Sequence, residues 1–205
     1  MNIPQTTIHK GRKFDQVVAG ARDVFMVDGF EGASVDEIAR VAKVSKATLY
    51  KYFPDKRQLF MQVAEVECQR QASAALNNID TSAAPREVLG QAGRHLLGFI
   101  TSKFGLQIFR ICVAESDRFP DLGRRFYSSG PGVMRKEIAH YLELAEARGE
   151  LRMDDFVLAA DQFSELCKAD IWTRLVFGVT SAVSAAEIDR VVDGAVETFM
   201  ARYGT

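Results

Sequence analysis

Polar and apolar positions along this chain follow a helical rhythm almost from end to end. Phe14, Val17, Val18, Ala21, Val24 and Phe25 recur three and four apart, which predicts an amphipathic helix that Gly29 stops. Phe30 follows and is expected to plug a small core against Ile38 and Leu49. Val35, Ile38, Ala39 and Ala42 give a short second helix one apolar face, and Ser34 with Glu37 predicts a capping box at its start. Ser45 is a second N-cap, and the helix after it buries Leu49 and Phe53. Pro54 ends it, because proline cannot donate a helix bond and disfavours helical geometry before it. Asp55 and Gln58 predict a cap for a fourth, long helix through Leu59, Phe60, Val63 and Val66.

After a small, polar stretch over residues 77–84 the helical period resumes. Val88, Leu89, Ala92, Leu96, Leu97 and Ile100 form one stripe. Residues 104–113 are apolar nearly all round, which predicts a central helix. A short helix follows Phe119-Pro120 and breaks over residues 128–132, and a longer one ends at Gly149. Residues 156–179 and 185–203 read as the last two helices, with Ser184 and Glu187 capping the final one. No segment alternates with period two for long enough to be a strand, so the expected class is all-α.

Two short helices around a tight turn at residues 42–45 describe a helix-turn-helix, whose second helix can enter the major groove of DNA. Its outer positions hold Lys46, Thr48, Tyr50, Lys51 and Tyr52, side chains suited to phosphates and base edges. On spacing alone a plain helical hairpin with a polar face is an equal reading. Lys10, Arg12 and Lys13 at the start of the first helix either reach a phosphate or are simply solvated.

Ile38-Ala39, Ala42, Val44-Ser45, Thr48-Leu49-Tyr50, Tyr52-Phe53 and Lys56 resemble the N-terminal signature of TetR-family transcriptional regulators. The resemblance covers roughly residues 14–63. It implies a three-helix DNA-binding domain over 10–55 and a helical ligand-binding and dimerisation domain over 56–205. It also implies a DNA-contacting set of Ser34, Lys43, Ser45, Lys46, Thr48, Tyr50, Lys51, Tyr52 and Lys56, with Lys56 on backbone phosphate. At Lys43 the chain departs from the family's usual glycine. Either Lys43 takes a left-handed conformation, at a cost on the order of 1 kcal/mol, or the turn differs. Residues 109–179, including AESDRFP at 114–120 and RGEL at 148–151, resemble the AefR-like C-terminal domain of some members.

Charge distribution agrees with two parts. Residues 1–60 carry ten Lys+Arg against seven Asp+Glu, a net +3, while the remainder carries −4. The chain has 205 residues, 47% apolar and 26% charged, an ordinary globular composition. No run approaches the roughly 20 apolar residues of a membrane span, and no signal core opens the chain, so a cytoplasmic protein is expected. Cys68, Cys112 and Cys167 are odd in number and far apart, which favours buried thiols over a disulfide framework or zinc site. His9, His95 and His140 are dispersed, and no phosphate loop or nucleophile–base set is present. Neither enzyme activity, a cofactor nor a metal is expected.

Aromatics in the C-terminal part have two readings, ordinary core or the wall of a cavity between helices. The resemblance favours a pocket, for which the candidates are Phe99, Phe104, Phe109, Cys112, Phe126, Met134, Phe163, Cys167 and Trp172. Arg110 and Arg174 inside apolar helices either snorkel or anchor an anionic ligand. The last two helices carry more apolar positions than one intramolecular contact requires. A two-fold interface is therefore expected from Phe156, Ala160, Ile171, Leu175, Ile188, Val192, Ala195 and Phe199. The expected protein is a homodimeric regulator of operator DNA, a repressor released by a small, largely apolar effector. The alternative is an all-α scaffold whose helix-turn-helix binds no DNA.

Overall fold

The computed structural model describes residues 11–205, with the side chains of all of these except 72–78. The expected loose arm, including His9 and Lys10, lies outside the described residues. Eleven helices follow one another, and among the described residues there is no strand. They are α1 (Arg12–Gly32), α2 (Val35–Val41), α3 (Lys46–Tyr52), α4 (Lys56–Asn78), α5 (Pro85–Ile100) and α6 (Lys103–Glu115). Then come α7 (Pro120–Ser129), α8 (Pro131–Ala147), α9 (Phe156–Lys168), α10 (Ile171–Val176) and α11 (Ala185–Tyr203). The class is all-α. No single helix among the described residues is long and apolar enough to cross a membrane. Contacts divide the chain into two compact units, Met1–Val66 and Glu67–Thr205, so that α4 contributes residues to both.

In the first unit α1 packs on α2, and α2 on α3. Val17, Ala21, Phe25, Ile38, Leu49 and Phe60 are almost wholly buried. Burial of such side chains contributes roughly 1.5–3 kcal/mol each for the larger ones, which is what holds so small a unit together. Glycine at 20 is demanded by the packing, since a Cβ there would lie 2.6 Å from that of Ala42. Gly29 interrupts α1 with φ 74° rather than ending it, and one further turn follows. Phe30 joins an aromatic cluster in this unit. It stacks on Phe25 at 6.2 Å and meets the edge of Phe60 at 5.2 Å.

The second unit is built on the α8–α9, α5–α11 and α9–α11 contacts. Leu89, Leu97, Leu142, Phe163, Val192 and Phe199 belong to one core, with Phe163 and Phe199 edge to face at 5.6 Å. Arg94 on α5 reaches Asp189 and Asp193 on α11, each at 2.6 Å, across the outside of that contact. The long helix expected over 156–179 is two helices. The break comes at Asp170, whose φ of 64° no helix interior accommodates. Arg174 and Arg190 both pair with Asp170. Arg110 donates to the carbonyls of Leu175 and Val176 at 2.7 and 3.0 Å, capping the C-terminus of α10. Helix α6 is less central than its composition suggests. Phe104, Ile108 and Cys112 are buried, but Val113 is 59% exposed.

Candidate nucleic-acid interface and ligand cavity

The turn between α2 and α3 is closed by backbone bonds. Val44 N–H donates to Ala39 C=O at 3.0 Å and Lys43 N–H to Arg40 C=O at 3.1 Å. These are the paired bonds of a Schellman cap, which needs a left-handed residue between them. Lys43 supplies it with φ 53°, so the turn keeps its shape without glycine and carries the strain. Ser34 Oγ accepts from Glu37 N–H at 3.1 Å, but only half of the expected capping box forms. The Glu37 carboxylate is taken by Arg40 at 2.6 and 2.9 Å, and this hydrogen-bonded ion pair holds its pKa below the usual value. Ser45 Oγ caps α3 by accepting from Thr48 N–H at 3.1 Å.

Helix α3 turns Leu49 inward, which leaves Lys46, Tyr50 and Lys51 exposed and Thr48 and Tyr52 half-buried. Lys46 pairs with Asp36 on α2. Tyr52 lays its ring edge-on to Phe14 at 5.7 Å, so part of it supports α1. Lys56 does not stand free for a phosphate. Its ammonium donates to Phe30 C=O at 2.7 Å and Ala33 C=O at 3.1 Å, and sits 4.5 Å from the centre of the Phe30 ring. Two of its three N–H bonds therefore tie α4 to the end of α1, and a cation at that carbonyl-rich helix end is favourable.

The second unit holds a cavity of about 480 Å³. Phe99, Phe109, Phe126, Met134 and Trp172 wall it, five of the nine expected residues. The other four, Phe104, Cys112, Phe163 and Cys167, are buried in packing elsewhere and do not line it. Burial pushes the thiols of Cys112 and Cys167 up to about 12, so both stay protonated at neutral pH. Phe109 and Trp172 meet edge to face at 4.8 Å. Arg110 and Arg174 stay outside the cavity, spent on the α10 carbonyls and on Asp170 and Glu187. Polar residues that the sequence did not single out complete the lining: Gln71, His95, Tyr127, Asp161, Ser164, Glu165 and Lys168. They come from four helices and share no spacing motif. Only the local signal of a polar residue within an apolar stripe, as for His95 and Ser164, hints at them.

The expected dimer residues are mostly internal. Ala160, Ile171, Leu175, Val192, Ala195 and Phe199 are at most 3% exposed within the single chain, and only Phe156 and Ile188 are half-buried. The apolar stripes of α9 and α11 are used up against each other and against α5 and α8. Between α9 and α11 an open groove of about 580 Å³ remains, with Leu158, Leu166, Ala169, Thr198 and Arg202 on its walls.

A three-helix unit with a capped turn and an exposed α3, followed by a larger all-helical unit with an aromatic cavity, is the architecture of a helix-turn-helix regulator. Residues 17–63 match the family of bacterial regulatory proteins of the tetR type. Residues 87–205 match the AefR-like transcriptional repressor C-terminal domain. The chain belongs to the TetR family of DNA-binding transcriptional regulators. The solved structure of a TetR-family regulator from Mesorhizobium loti superposes with TM-score 0.83 at 29% identity, covering 95% of this chain and 98% of that one. The flavonoid-responsive regulator FrrA is 34% identical, with TM-score 0.69 over 95% of this chain and 98% of its own. The transcriptional repressor AcnR of Corynebacterium glutamicum is 30% identical over 88% of this chain and 90% of its own.

Proposed function

We propose that this protein is a repressor that holds operator DNA as a homodimer and lets go when a small aromatic molecule fills the cavity of the second unit. The observation that carries the reading is the double service of α4. Its first turns supply Leu59 and Phe60 to the core of the first unit, where Phe60 meets Phe25 and Phe30 of α1, and its later turns supply Cys68 and Gln71 to the cavity lining. A ligand that reshapes the cavity acts on the same helix that supports the DNA-binding unit, and it releases DNA to the extent that it binds the two states unequally. Coupling of this kind is typically about 1–3 kcal/mol. Tyr50, Lys51, Lys46 and Thr48 read the groove, and Ser34, Lys43 and Ser45 lie near phosphates. The repressor named in AcnR supports the sign of regulation, and FrrA's responsiveness to flavonoids supports a ring-bearing effector.

The test is binding of the full-length protein to its own promoter DNA over a salt series, with and without aromatic compounds. Affinity is expected to fall steeply with salt as phosphates release counterions. Fluorescence of Trp172, the single tryptophan of the chain, is expected to change on ligand addition. A protein that bound no duplex at low salt would instead be an all-α interaction module.

A further inference from the structure

Three of the polar groups that line the cavity donate within the protein and keep acceptor lone pairs. Gln71 Nε2 donates to Glu67 Oε1 at 3.0 Å, and Glu67 is 1% exposed. A carboxylate only accepts, so the amide orientation is set and Gln71 Oε1 remains as an acceptor. His95 Nε2 lies 2.9 Å from the backbone carbonyl of Gln71. A carbonyl also only accepts, so Nε2 carries the proton and Nδ1 of the neutral ring is an acceptor. Ser164 Oγ gives its hydrogen to Ala160 C=O at 3.0 Å, which leaves its lone pairs. Three lining residues thus offer acceptors, while the second hydrogen of Gln71 Nε2, Trp172 Nε1 and the Tyr127 hydroxyl remain as donors.

Charge narrows the ligand further. Two carboxylates, Asp161 and Glu165, line the cavity against one ammonium, Lys168. Lys168 is already paired with Glu165, and Asp161 lies 3.5 Å from Arg135. Both lining carboxylates and the lining ammonium are thus already in ion pairs, so a fatty acid or a phosphorylated ligand would find no unpaired cation among the described lining residues. The walls are aromatic, with Phe99, Phe109, Phe126 and Trp172, and rings favour stacked or edge contacts with another flat ring.

We infer that the effector is a neutral, planar phenolic compound whose hydroxyl groups donate to His95 Nδ1 and Gln71 Oε1. This rests on the reading of the cavity as the effector site and names the chemistry that site accepts. Buried Glu67 acts through Gln71 as a positioning residue, because it sets which end of the amide faces the ligand. A site built to receive a hydroxyl rejects the analogue without it, since its buried acceptors are then left unpaired.

Calorimetric titration of the full-length protein with apigenin, flavone and palmitate tests this. Flavone has the same ring system without hydroxyls and is smaller, so it fits wherever apigenin fits. Apigenin is expected to bind at least about tenfold more tightly than flavone, and palmitate not measurably. His95→Phe, which keeps an aromatic ring, and Gln71→Met are each expected to shrink the apigenin-to-flavone ratio to under about threefold while flavone affinity holds. Thermal melts identify any variant that fails to fold, and either variant alone suffices. Equal binding of apigenin and flavone, tight palmitate binding, or a ratio unchanged in a folded variant would each overturn the inference. DNA release by some other compound that competes for the cavity would overturn the phenol assignment and leave the regulator standing. A protein that bound apigenin as expected but never bound DNA would do the reverse.

Discussion

At the scale of single residues, the strained turn and the diverted lysine are the informative positions. Lys43 holds a left-handed conformation that glycine adopts without penalty. Lys43→Gly is therefore expected to stabilise the protein by about 1 kcal/mol, read as a higher thermal midpoint, while removing one cation from the interface. The resemblance implies Lys56 on a phosphate, and a cation in the first turn of α4 is unfavourable by the dipole of that helix. The geometry explains the position without DNA, because the ammonium faces the end of α1 as well as the start of α4. Lys56→Met is expected to lower the melting temperature of the first unit while the salt slope of DNA binding falls by well under one unit. Lys51→Ala, at an exposed cation, is expected to leave stability alone and lower that slope by about one.

At the scale of elements, caps decide where helices begin. Ser184 and Glu187 form the complete reciprocal box that the spacing predicts, with Ser184 N–H donating to Glu187 at 3.0 Å and Glu187 N–H to Ser184 Oγ at 3.2 Å. The Ser184 backbone bond, then the Ser184 hydroxyl and Arg174, pull the Glu187 carboxyl down to about 2. A carboxyl lowered in the folded state adds stability above its unfolded value of 4.5 and loses it as pH falls through the folded value. The start of α11 is thus expected to loosen between about pH 4.5 and 2. Glu187→Gln is expected to be less stable at neutral pH and flatter across that window in an acid titration followed by circular dichroism. The equivalent spacing at Ser34 and Glu37 yields only half a box, because Arg40 one turn on competes for the carboxylate. Spacing reveals a possible partner but not its rivals.

For the whole molecule, the face left open between α9 and α11 is where a second copy is proposed to dock. Leu158 is 51% exposed at its edge, and Leu166 and Ala169 lie further along the same groove. Leu158→Glu combined with Ala169→Glu is expected to convert a dimer into a monomer in light scattering at micromolar concentration, since buried like charges in an isologous contact oppose each other. Phe199→Ala, by contrast, is expected to unfold rather than dissociate the protein, with a loss of about 3–5 kcal/mol typical of a large buried aromatic. A dimer that survived the double charge substitution would place the contact on another face.

Sequence alone determined the all-α class, the two short helices about a tight turn and most helix starts, because period, caps and proline act over a few neighbouring residues, while the family resemblance favoured a helix-turn-helix over a plain hairpin. Leu49, Phe53, Ser45 and Ser184 could be read correctly for that reason. Tertiary structure decided which apolar stripe meets which partner. Ala160, Val192 and Phe199 have the same pattern whether a stripe faces its own chain or a second copy, and only the folded chain shows them internal. It also decided which aromatics wall a cavity and which fill a core, since Phe109 and Phe163 differ in neighbours rather than in type. The acceptor character of His95 belongs to the same class of fact. It comes from a hydrogen bond between α5 and α4, 24 residues apart, that no local pattern encodes, whereas Gln71 is oriented by Glu67 one turn back on its own helix.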